Sequence, residues 1–279
     1  MKKILITGVN SYVGNSFEKW VLDYPDKYSV NKISLRDESW KEKDFSSYDV
    51  ILHTVGLAHQ KETKENVPHY YKVNRDLAFE VAQKSKIEGV KQFIFLSSMS
   101  VYGADRGIID KSTPLKPKNN YGKSKLQAEE LIKPLENDHF KIVIIRPPMI
   151  YGKECKGNYP RLASLALKSL IFPDVNNKRS MIYVDNLCEL VRLIIDDSFA
   201  GLLLPQNKEY VCTSEMVKMI AEVHGKNIWM TKLFNPILSL SGNRTVNKLF
   251  GDLVYEMSLS NYEKYEPISL EESIKLTEA

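Results

Sequence analysis

The sequence predicts a doubly wound α/β fold, and three observations carry the prediction. Short β-branched runs alternate with segments of helical spacing, a glycine turn joins the first run to the first helix, and a later run is apolar without alternation. The first run is Lys3–Thr7 (KILIT), closed by Gly8, with helical spacing over Asn15–Leu22 behind it. Strands are expected at Lys32–Leu35 and, after the polar turn Ser46-Ser47-Tyr48-Asp49, at Val50–Thr54. Val73, Leu77, Ala78, Val81 and Ala82 set a helix over Tyr71–Lys86 that stops at Gly89. Gln92–Leu96 is the next strand and Tyr121–Ile132 the next helix. Lys141–Ile145 (KIVII) reads as a strand covered on both faces. Beyond Pro147 the segments shorten, punctuated by Pro148, Gly152, Gly157, Pro160, Pro173 and Pro205. A smaller C-terminal α+β lobe closing over the carboxyl edge of the sheet is therefore expected. The division places the sheet domain at 1–150, with part of 175–200 returning to it, and the second lobe mainly at 151–279.

Composition excludes more than it selects. With 279 residues, 43% hydrophobic and 27% charged, the chain suits one main core and neither disorder nor a fibrous architecture. A formal net charge of +4 from 39 basic and 35 acidic side chains, scattered without a basic run, does not imply nucleic acid. Cys155, Cys188 and Cys212 form no paired motif for zinc or a disulfide framework, which fits a reducing compartment. No stretch approaches the ~20 apolar residues of a membrane span, and Met-Lys-Lys leads into a strand with no small-residue cleavage site behind it. The expectation is a cytoplasmic protein without membrane insertion. His59 has no second histidine at ligand spacing, so no metal is expected.

Four segments carry chemistry. The first, Thr7-Gly8-Val9-Asn10-Ser11-Tyr12-Val13-Gly14, joins the first strand to the first helix. A glycine turn there lets backbone N–H groups and the positive end of a helix dipole meet a pyrophosphate, and Gly14 lets the helix pack closely on the strand. A plain tight turn has the same appearance. Ser11 stands where a middle glycine is usual, and it either strains the backbone by about 1 kcal/mol or offers its hydroxyl to phosphate. The second segment is the run Ile33-Ser34-Leu35 into Arg36 and Asp37. An acid there bonds the ribose of NAD and an arginine pairs with the 2′-phosphate of NADP, so Arg36 favours NADP, against a solvated charge pair in a loop.

The third segment, Tyr121-Gly122-Lys123-Ser124-Lys125, puts a tyrosine and a lysine on one helix face. A phenol with a pKa of about 10 is a poor acid–base group at neutral pH, and a neighbouring ammonium with a cationic nicotinamide favours phenolate. An exposed helix face produces the same spacing by chance. The fourth, FIFLSSMSVYG from Phe93 to Gly103, ends a buried strand. Hydroxyls at a strand end face the ligand crevice, which makes Ser98 a candidate to polarise a reacting carbonyl and Ser100 a second one; turn-forming serines look the same.

With the four segments in this order the sequence resembles the extended short-chain dehydrogenase/reductases, and among them the NAD-dependent epimerase/dehydratase family of nucleotide-sugar enzymes. The likeness spans nearly the whole chain through ITGVNSYVG, DVILHTVGLAHQ, Asn74, FIFLSSMSVYG, NYGKSK, IIRPPMIYGKECKGN and RSMIYVDN. It implies a Rossmann-like NAD(P)-binding domain with Tyr121 as acid/base, Lys125 lowering its pKa and holding the nicotinamide ribose, and Ser98 as hydroxyl partner. Gly8, Asn10, Ser11, Tyr12, Val13 and Gly14 then belong to the cofactor site, with Gly8, Ser11 and Gly14 at the pyrophosphate. Val55, Gly56 and Leu57 border the cofactor with Asn74, and Pro147 and Pro148 border the nicotinamide. On the substrate side, Ser100 joins Asn158 and Arg179, which match positions that contact a nucleotide diphosphate; Arg244 is a further phosphate candidate. Two features depart from the pattern. One is the absent middle glycine, and the other is the short connection from Arg36 to Asp49, where relatives commonly carry another strand and helix. The acidic adenine contact is unassigned, with Asp44 nearest the right place.

The resemblance implies a UDP-sugar as substrate and allows a homodimer. Arg36, the compact length, and the likeness of HTVGLAHQ and RPPMIYGKECKGN to enzymes of bacterial surface-polysaccharide synthesis favour NADPH-dependent reduction of the C4 ketone of a UDP-4-keto-6-deoxy-N-acetylhexosamine. The runner-up is a UDP-hexose 4-epimerase holding NAD tightly. A dehydratase is disfavoured, because Met99-Ser100 follow Ser98 where that chemistry needs an acidic pair. A non-catalytic dinucleotide sensor is the reading from another class, and intact Tyr121, Lys125 and Ser98 argue against it.

Overall fold

The computed structural model describes residues 1–58, 60–240 and 244–279, with the side chains of 239, 240, 244 and 245 outside the described set. His59 therefore lies outside the described residues. In chain order the first half contains β1 (Lys2–Thr7), α1 (Tyr12–Val21), β2 (Tyr28–Ile33), β3 (Val50–His53), α2 (Val67–Tyr71), α3 (Leu77–Ile87), β4 (Gln92–Leu96), β5 (Gly107–Ile109), α4 (Asn120–Ile132) and β6 (Lys141–Ile145). There follow β7 (Met149–Tyr151), α5 (Asn158–Lys168), β8 (Ile171–Pro173), β9 (Met181–Tyr183), α6 (Val184–Asp196), β10 (Gly201–Leu203), α7 (Thr213–Val223), β11 (Trp229–Thr231), α8 (Asn235–Leu240), α9 (Arg244–Phe250), β12 (Leu253–Tyr255) and α10 (Leu270–Glu278).

A six-stranded parallel sheet runs β10-β6-β4-β3-β1-β2. Its inner strands β3, β4 and β6 are largely apolar on both faces because both faces are covered. Ile4, Ile6, Leu52, Ile94 and Val143 pack on the side of α1 and α6, whereas Leu5, Ile51, Phe93 and Ile142 pack against Ala78, Val81 and Ala82 of α3 and Ala128 and Ile132 of α4. The two-residue period sends neighbours to opposite layers, which is why a continuous apolar run and a strand are compatible here.

Strand β2 lies earlier than the sequence suggested. It pairs with β1 from Lys2↔Tyr28 to Thr7↔Ile33, and as an edge strand with one neighbour it tolerates Ser29, Asn31 and Lys32. Leu35, expected within the strand, is buried in the segment just after β2. The short connection to β3 forms no strand; a 3₁₀ turn over Glu38–Lys41 carries Trp40 inward with Phe45 and Tyr48. The helix expected over 71–86 is continuous from α2 to α3 but contains a π turn at Lys72–Asp76.

The chain beyond β6 builds three two-stranded parallel sheets, β7 with β9, β8 with β11, and β12 with β5 of the first half. Helix α6 packs on α1, and β10 pairs with β6 at the edge of the central sheet.

Candidate active site

At the carboxyl end of β1 the chain turns through Gly8, whose φ of 96° only glycine adopts freely. Ser11 then caps α1, its hydroxyl oxygen accepting from the Gly14 amide at 3.2 Å. Its backbone is ordinary extended chain at φ −71° and ψ 130°, so the strain considered for this residue is not present. Gly14 is where space runs out, since a Cβ would lie 2.8 Å from Ile6 Cγ2 and 3.1 Å from Thr54 Oγ1. Tyr12 and Val13 begin the helix, where amides have no intrahelical acceptor. A diphosphate fits this cradle. Asn10 is exposed beside it, and Val13 points into the core. The Tyr12 side chain turns toward the second lobe, with its hydroxyl where a Cβ on Gly152 would be 2.7 Å away.

One loop joins this cradle to the Tyr121 helix. A Cβ on Gly8 would touch Val55 Cγ2 at 3.0 Å, and a Cβ on the next residue, Gly56, would sit 3.1 Å from Lys125 Nζ and 3.3 Å from Asn74 Oδ1. Asn74, fully buried in the π turn, behaves as an extra peptide group. It accepts from Leu57 N at 2.7 Å, donates to Leu57 O at 3.2 Å, and donates to Ser124 Oγ at 3.1 Å. The loop that would border a dinucleotide is thereby pinned to α4 beside Lys125.

Helix α4 is capped by Asn119, which accepts from Gly122 N at 2.7 Å. Glu62, from the loop after β3, accepts from Asn120 N at 2.9 Å and from Tyr121 N at 3.3 Å, a carboxylate at the positive end of the helix dipole. Gly122 lets α4 dock on the strand-end loop, since a Cβ there would meet Ser100 O at 2.6 Å. That docking brings the half-buried Tyr121 phenol to the Ser98 hydroxyl, which also caps the 3₁₀ turn Met99–Tyr102 by accepting from Ser100 N at 3.1 Å. Ser98 Oγ donates to Ser100 Oγ at 3.2 Å. Behind them Pro147 and Pro148 are buried, and the Pro147 carbonyl accepts from Met99 N at 3.0 Å.

Burial pushes the Tyr121 phenol above its ordinary range, and the neighbouring Ser98 hydroxyl opposes that. Lys125 is itself brought down to about 7 by burial, with the Glu129 charge pulling the other way. Its Nζ donates to Leu96 O at 2.7 Å and lies 4.6 Å from the centre of the Phe95 ring, contacts that favour the ammonium. In the chain by itself the phenol therefore lies above its ordinary range, with Ser98 and not Lys125 opposing burial.

Arg36 is exposed just past β2 and makes no ion pair among the described residues. Asp37 is not half of a charge pair with it; its carboxylate caps the 3₁₀ turn, accepting from Ser39 N at 3.0 Å. Asp44 accepts from Ser46 N in the same connection. In the second lobe Asn158 is the exposed first residue of α5. Arg179 sits between Val211 and Leu253 in two isolated bridges and donates to Gly251 O at 2.9 Å. Burial lowers its guanidinium, with the Asp252 charge opposing, and no carboxylate pairs with it among the described residues. A half-buried arginine with no carboxylate paired to it among the described residues suits an anionic ligand better than a surface salt bridge. Arg244 opens α9, but its side chain lies outside the described residues.

Several residues of this region carry no signal in the sequence. Glu62, Gly122 and the core triad Ser97, Glu129 and Arg146 each act through a partner far along the chain. Glu129 and Arg146, both buried, form a forked pair with contacts from 2.5 to 3.2 Å; Glu129 also accepts from Ser97 Oγ, and Arg146 donates to Tyr102 OH at 2.9 Å. His53, wholly buried under the site, is held near 3 chiefly by burial, then by the Lys125 charge, with Nδ1 at 3.0 Å from Thr7 Oγ1. Among the described residues no three His, Cys, Asp or Glu side chains gather as a metal site.

A glycine cradle at a helix start, opposite a Ser–Tyr–Lys cluster at the same edge of a parallel sheet, is an arrangement suited to an NAD(P)-dependent enzyme. The chain belongs to the NAD-dependent epimerase/dehydratase family, whose model matches residues 4–203. It is 30% identical to a UDP-glucose 4-epimerase of Vibrio cholerae, over 92% of this chain and 88% of that one. It is 31% identical to an N-acetyl-alpha-D-glucosaminyl-diphospho-ditrans,octacis-undecaprenol 4-epimerase of Escherichia coli O157:H7, over 64% of this chain and 54% of that one. Its fold is similar to that of a UDP-glucuronic acid 4-epimerase from Bacillus cereus in complex with NAD, at TM-score 0.75 and 19% identity over 99% and 97% of the two chains. It is likewise similar to a dTDP-4-dehydrorhamnose reductase from Bacillus anthracis in complex with NADP, at TM-score 0.72 and 20% identity over 99% of each.

Proposed function

We propose that this enzyme inverts C4 of a diphosphate-linked hexose, with NAD held in the cradle of Gly8, Ser11 and Gly14 and at Gly56 and Lys125. The single observation that carries the reading is the placing of the Tyr121 phenol beside the Ser98 hydroxyl on the helix face of a Lys125 amine that projects to Gly56. A dinucleotide bound there would supply a hydride acceptor and a positive ring charge. Tyr121, as phenolate, takes the proton of the C4 hydroxyl as C4 loses hydride, which leaves a 4-ketone; Ser98 donates to that oxygen. The same phenol returns the proton when hydride comes back to the other face. Arg179 holds the diphosphate, with Asn158 and Arg244 as its companions. Since a diphosphate is what Arg179 reads, UDP and undecaprenyl diphosphate, the carriers named for the two relatives, present it with the same chemistry.

The reductase put first on sequence grounds becomes the second reading, because a relative 30% identical over 92% of the chain is a 4-epimerase. Arg36 keeps the reductase in view: an exposed guanidinium without an ion pair beyond β2 suits the 2′-phosphate of NADP, and a 4-ketone substrate with NADPH needs the same Tyr121 and Ser98. One experiment separates the two. The protein is incubated with UDP-hexoses and their 4-keto derivatives, with each cofactor in turn, and the epimers are resolved by chromatography. Interconversion without added cofactor supports the epimerase; NADPH consumption only with a keto sugar supports the reductase; neither outcome removes both. Arg179→Met is expected to raise KM for the diphosphate substrate about 10–100-fold while sparing kcat, the scale of one charge-assisted hydrogen-bonding group.

A further inference from the structure

The second lobe carries an apolar surface that the chemistry above leaves unused. Strands β8 and β11 pair in parallel with Ile171 opposite Trp229, and these two side chains are 45% and 66% exposed while Phe172 in the adjacent register is buried. Leu170, 82% exposed, precedes them, and its carbonyl accepts from Trp229 N at 2.9 Å. Past β11 the chain turns into α8, where the Phe234 carbonyl accepts from Leu238 N, so Leu233, Phe234 and Ile237 fall on one side at helical spacing; they are 76%, 43% and 69% exposed. Asn235 ties the start of α8 to the end of β8 through Asp174 O at 2.8 Å, holding the two parts of the surface together.

Charge around this surface is one-sided. The segments 165–174 and 226–238 contain Lys168, Lys226 and Lys232 against a single acid, Asp174, which lies 4.0 Å from Lys232. Exposed Trp, Phe, Leu and Ile rimmed by lysines is the composition of surfaces that lie in the headgroup region of a bilayer, where the apolar groups enter the acyl boundary and the ammonium groups meet lipid phosphate. Among the described residues no helix is long and apolar enough to cross a membrane, so such a surface would rest on the bilayer and not span it. Its distance from the diphosphate site is bounded by the chain. Six residue steps from Pro173 to Arg179 extend at most about 20 Å.

We infer that the face formed by Leu170, Ile171, Trp229, Leu233, Phe234 and Ile237 docks on an anionic lipid bilayer and so presents the Arg179 site to a diphosphate-linked sugar anchored in that bilayer. The catalytic clause rests on the function proposed above; the docking clause stands on the surface itself. Apolar contact supplies the hold, and the lysines select anionic headgroups, so added salt weakens it.

The purified protein is sedimented with vesicles of phosphatidylcholine alone and of phosphatidylcholine with phosphatidylglycerol. Co-sedimentation with the anionic vesicles, reduced by salt, is expected, with a blue shift in tryptophan emission that Trp229→Phe removes. Leu233→Ser combined with Phe234→Ser changes only exposed side chains and is expected to lower vesicle affinity about tenfold or more, as is Lys168→Glu with Lys232→Glu. Turnover of a water-soluble UDP-linked substrate stays within about twofold in both double variants, since neither touches the reacting groups. Absence of vesicle binding overturns the inference, as does binding that the double variants leave intact. A dimer in solution that Leu233→Ser dissociates also overturns it, by assigning the face to a second copy of the chain. Vesicle binding without turnover of any diphosphate-linked hexose leaves the docking face standing and removes the proposed function, so the two fail separately.

Discussion

Two buried cations lie along helix α4, and the protein treats them differently. Arg146, at the end of β6, is gripped by both oxygens of Glu129 and by Tyr102; burial pulls its guanidinium down most strongly, and the hydrogen bonds and charges of Glu129 and Tyr102 together leave it raised. Lys125, one turn from Glu129 on the same helix, has a carbonyl and an aromatic ring for company and is drawn down to about 7. The carboxylate that would satisfy it is already engaged by Arg146 and Ser97. The paired cation locks α4 to the sheet. The unpaired one stays responsive to what enters the crevice at Gly56, and Arg179 repeats that arrangement in the second lobe. Charge compensation thus separates the groups that hold the fold from those available to a ligand.

The largest effect that tests this contrast is on catalysis. Tyr121→Phe removes the only proton carrier assigned at the Lys125 end and keeps the ring, so turnover should fall about 10²–10⁴-fold with dinucleotide affinity unchanged. An undiminished rate would strip the unpaired lysine of its role. At the other end, Glu129→Ala leaves Arg146 buried without its partner, and the unfolding free energy in urea should fall by about 3–5 kcal/mol. Adding Arg146→Met should recover a large part of it. A cost below about 1 kcal/mol, the scale of an exposed pair, would erase the distinction between the two cations.

Lys125 makes the contrast visible in pH. Below pH 7 its amine is protonated in both the folded and unfolded chain, so the full cost of burying a charge falls on the fold. Between about 7 and the unfolded value, the folded chain sheds a proton that the unfolded chain keeps, and stability rises with pH through that window. Lys125→Met should flatten the rise, as read by urea denaturation across the same window, while Arg146→Met combined with Glu129→Met should leave it in place. A parallel rise in Lys125→Met would assign the effect to other groups.

Much of this was legible in the chain because it is local. β4 and β6 fall on the residues that their apolar runs marked, and Gly8, Ser11 and Gly14 sit in a strand–turn–helix as expected. The Tyr121–Lys125 spacing became a shared helix face. What the sequence hid depends on partners distant along the chain. Glu62 reaches α4 across a loop with no periodicity, Glu129 looks like any helical glutamate until Arg146 arrives from β6, and Gly122 is explained only by the Ser100 carbonyl against it. Strand β2 was misplaced for a related reason: an edge strand lacks the continuous apolar signal, while Leu35 supplies one from a turn.

Ser11 offers the smallest effect and a sharp one. A missing glycine in a phosphate-binding turn looks like a defect, yet its φ and ψ lie in the extended region, where a side chain costs nothing, and its hydroxyl accepts from Gly14 N as an N-cap. The cap makes two opposite substitutions unequal. Ser11→Ala keeps the backbone preference but orphans the amide, and should lose about 1 kcal/mol; Ser11→Gly, which restores the pattern of the wider family, should lose only a few tenths because water reaches the freed amide. The order is the informative part. If glycine proved clearly stabilising, the serine backbone would be strained after all; if alanine proved neutral, the hydroxyl would be no cap, and a role toward phosphate would be left as the reason for a serine at this turn. Dinucleotide affinity measured on the same two variants separates these cases, since a capping hydroxyl predicts a change in stability with little change in binding.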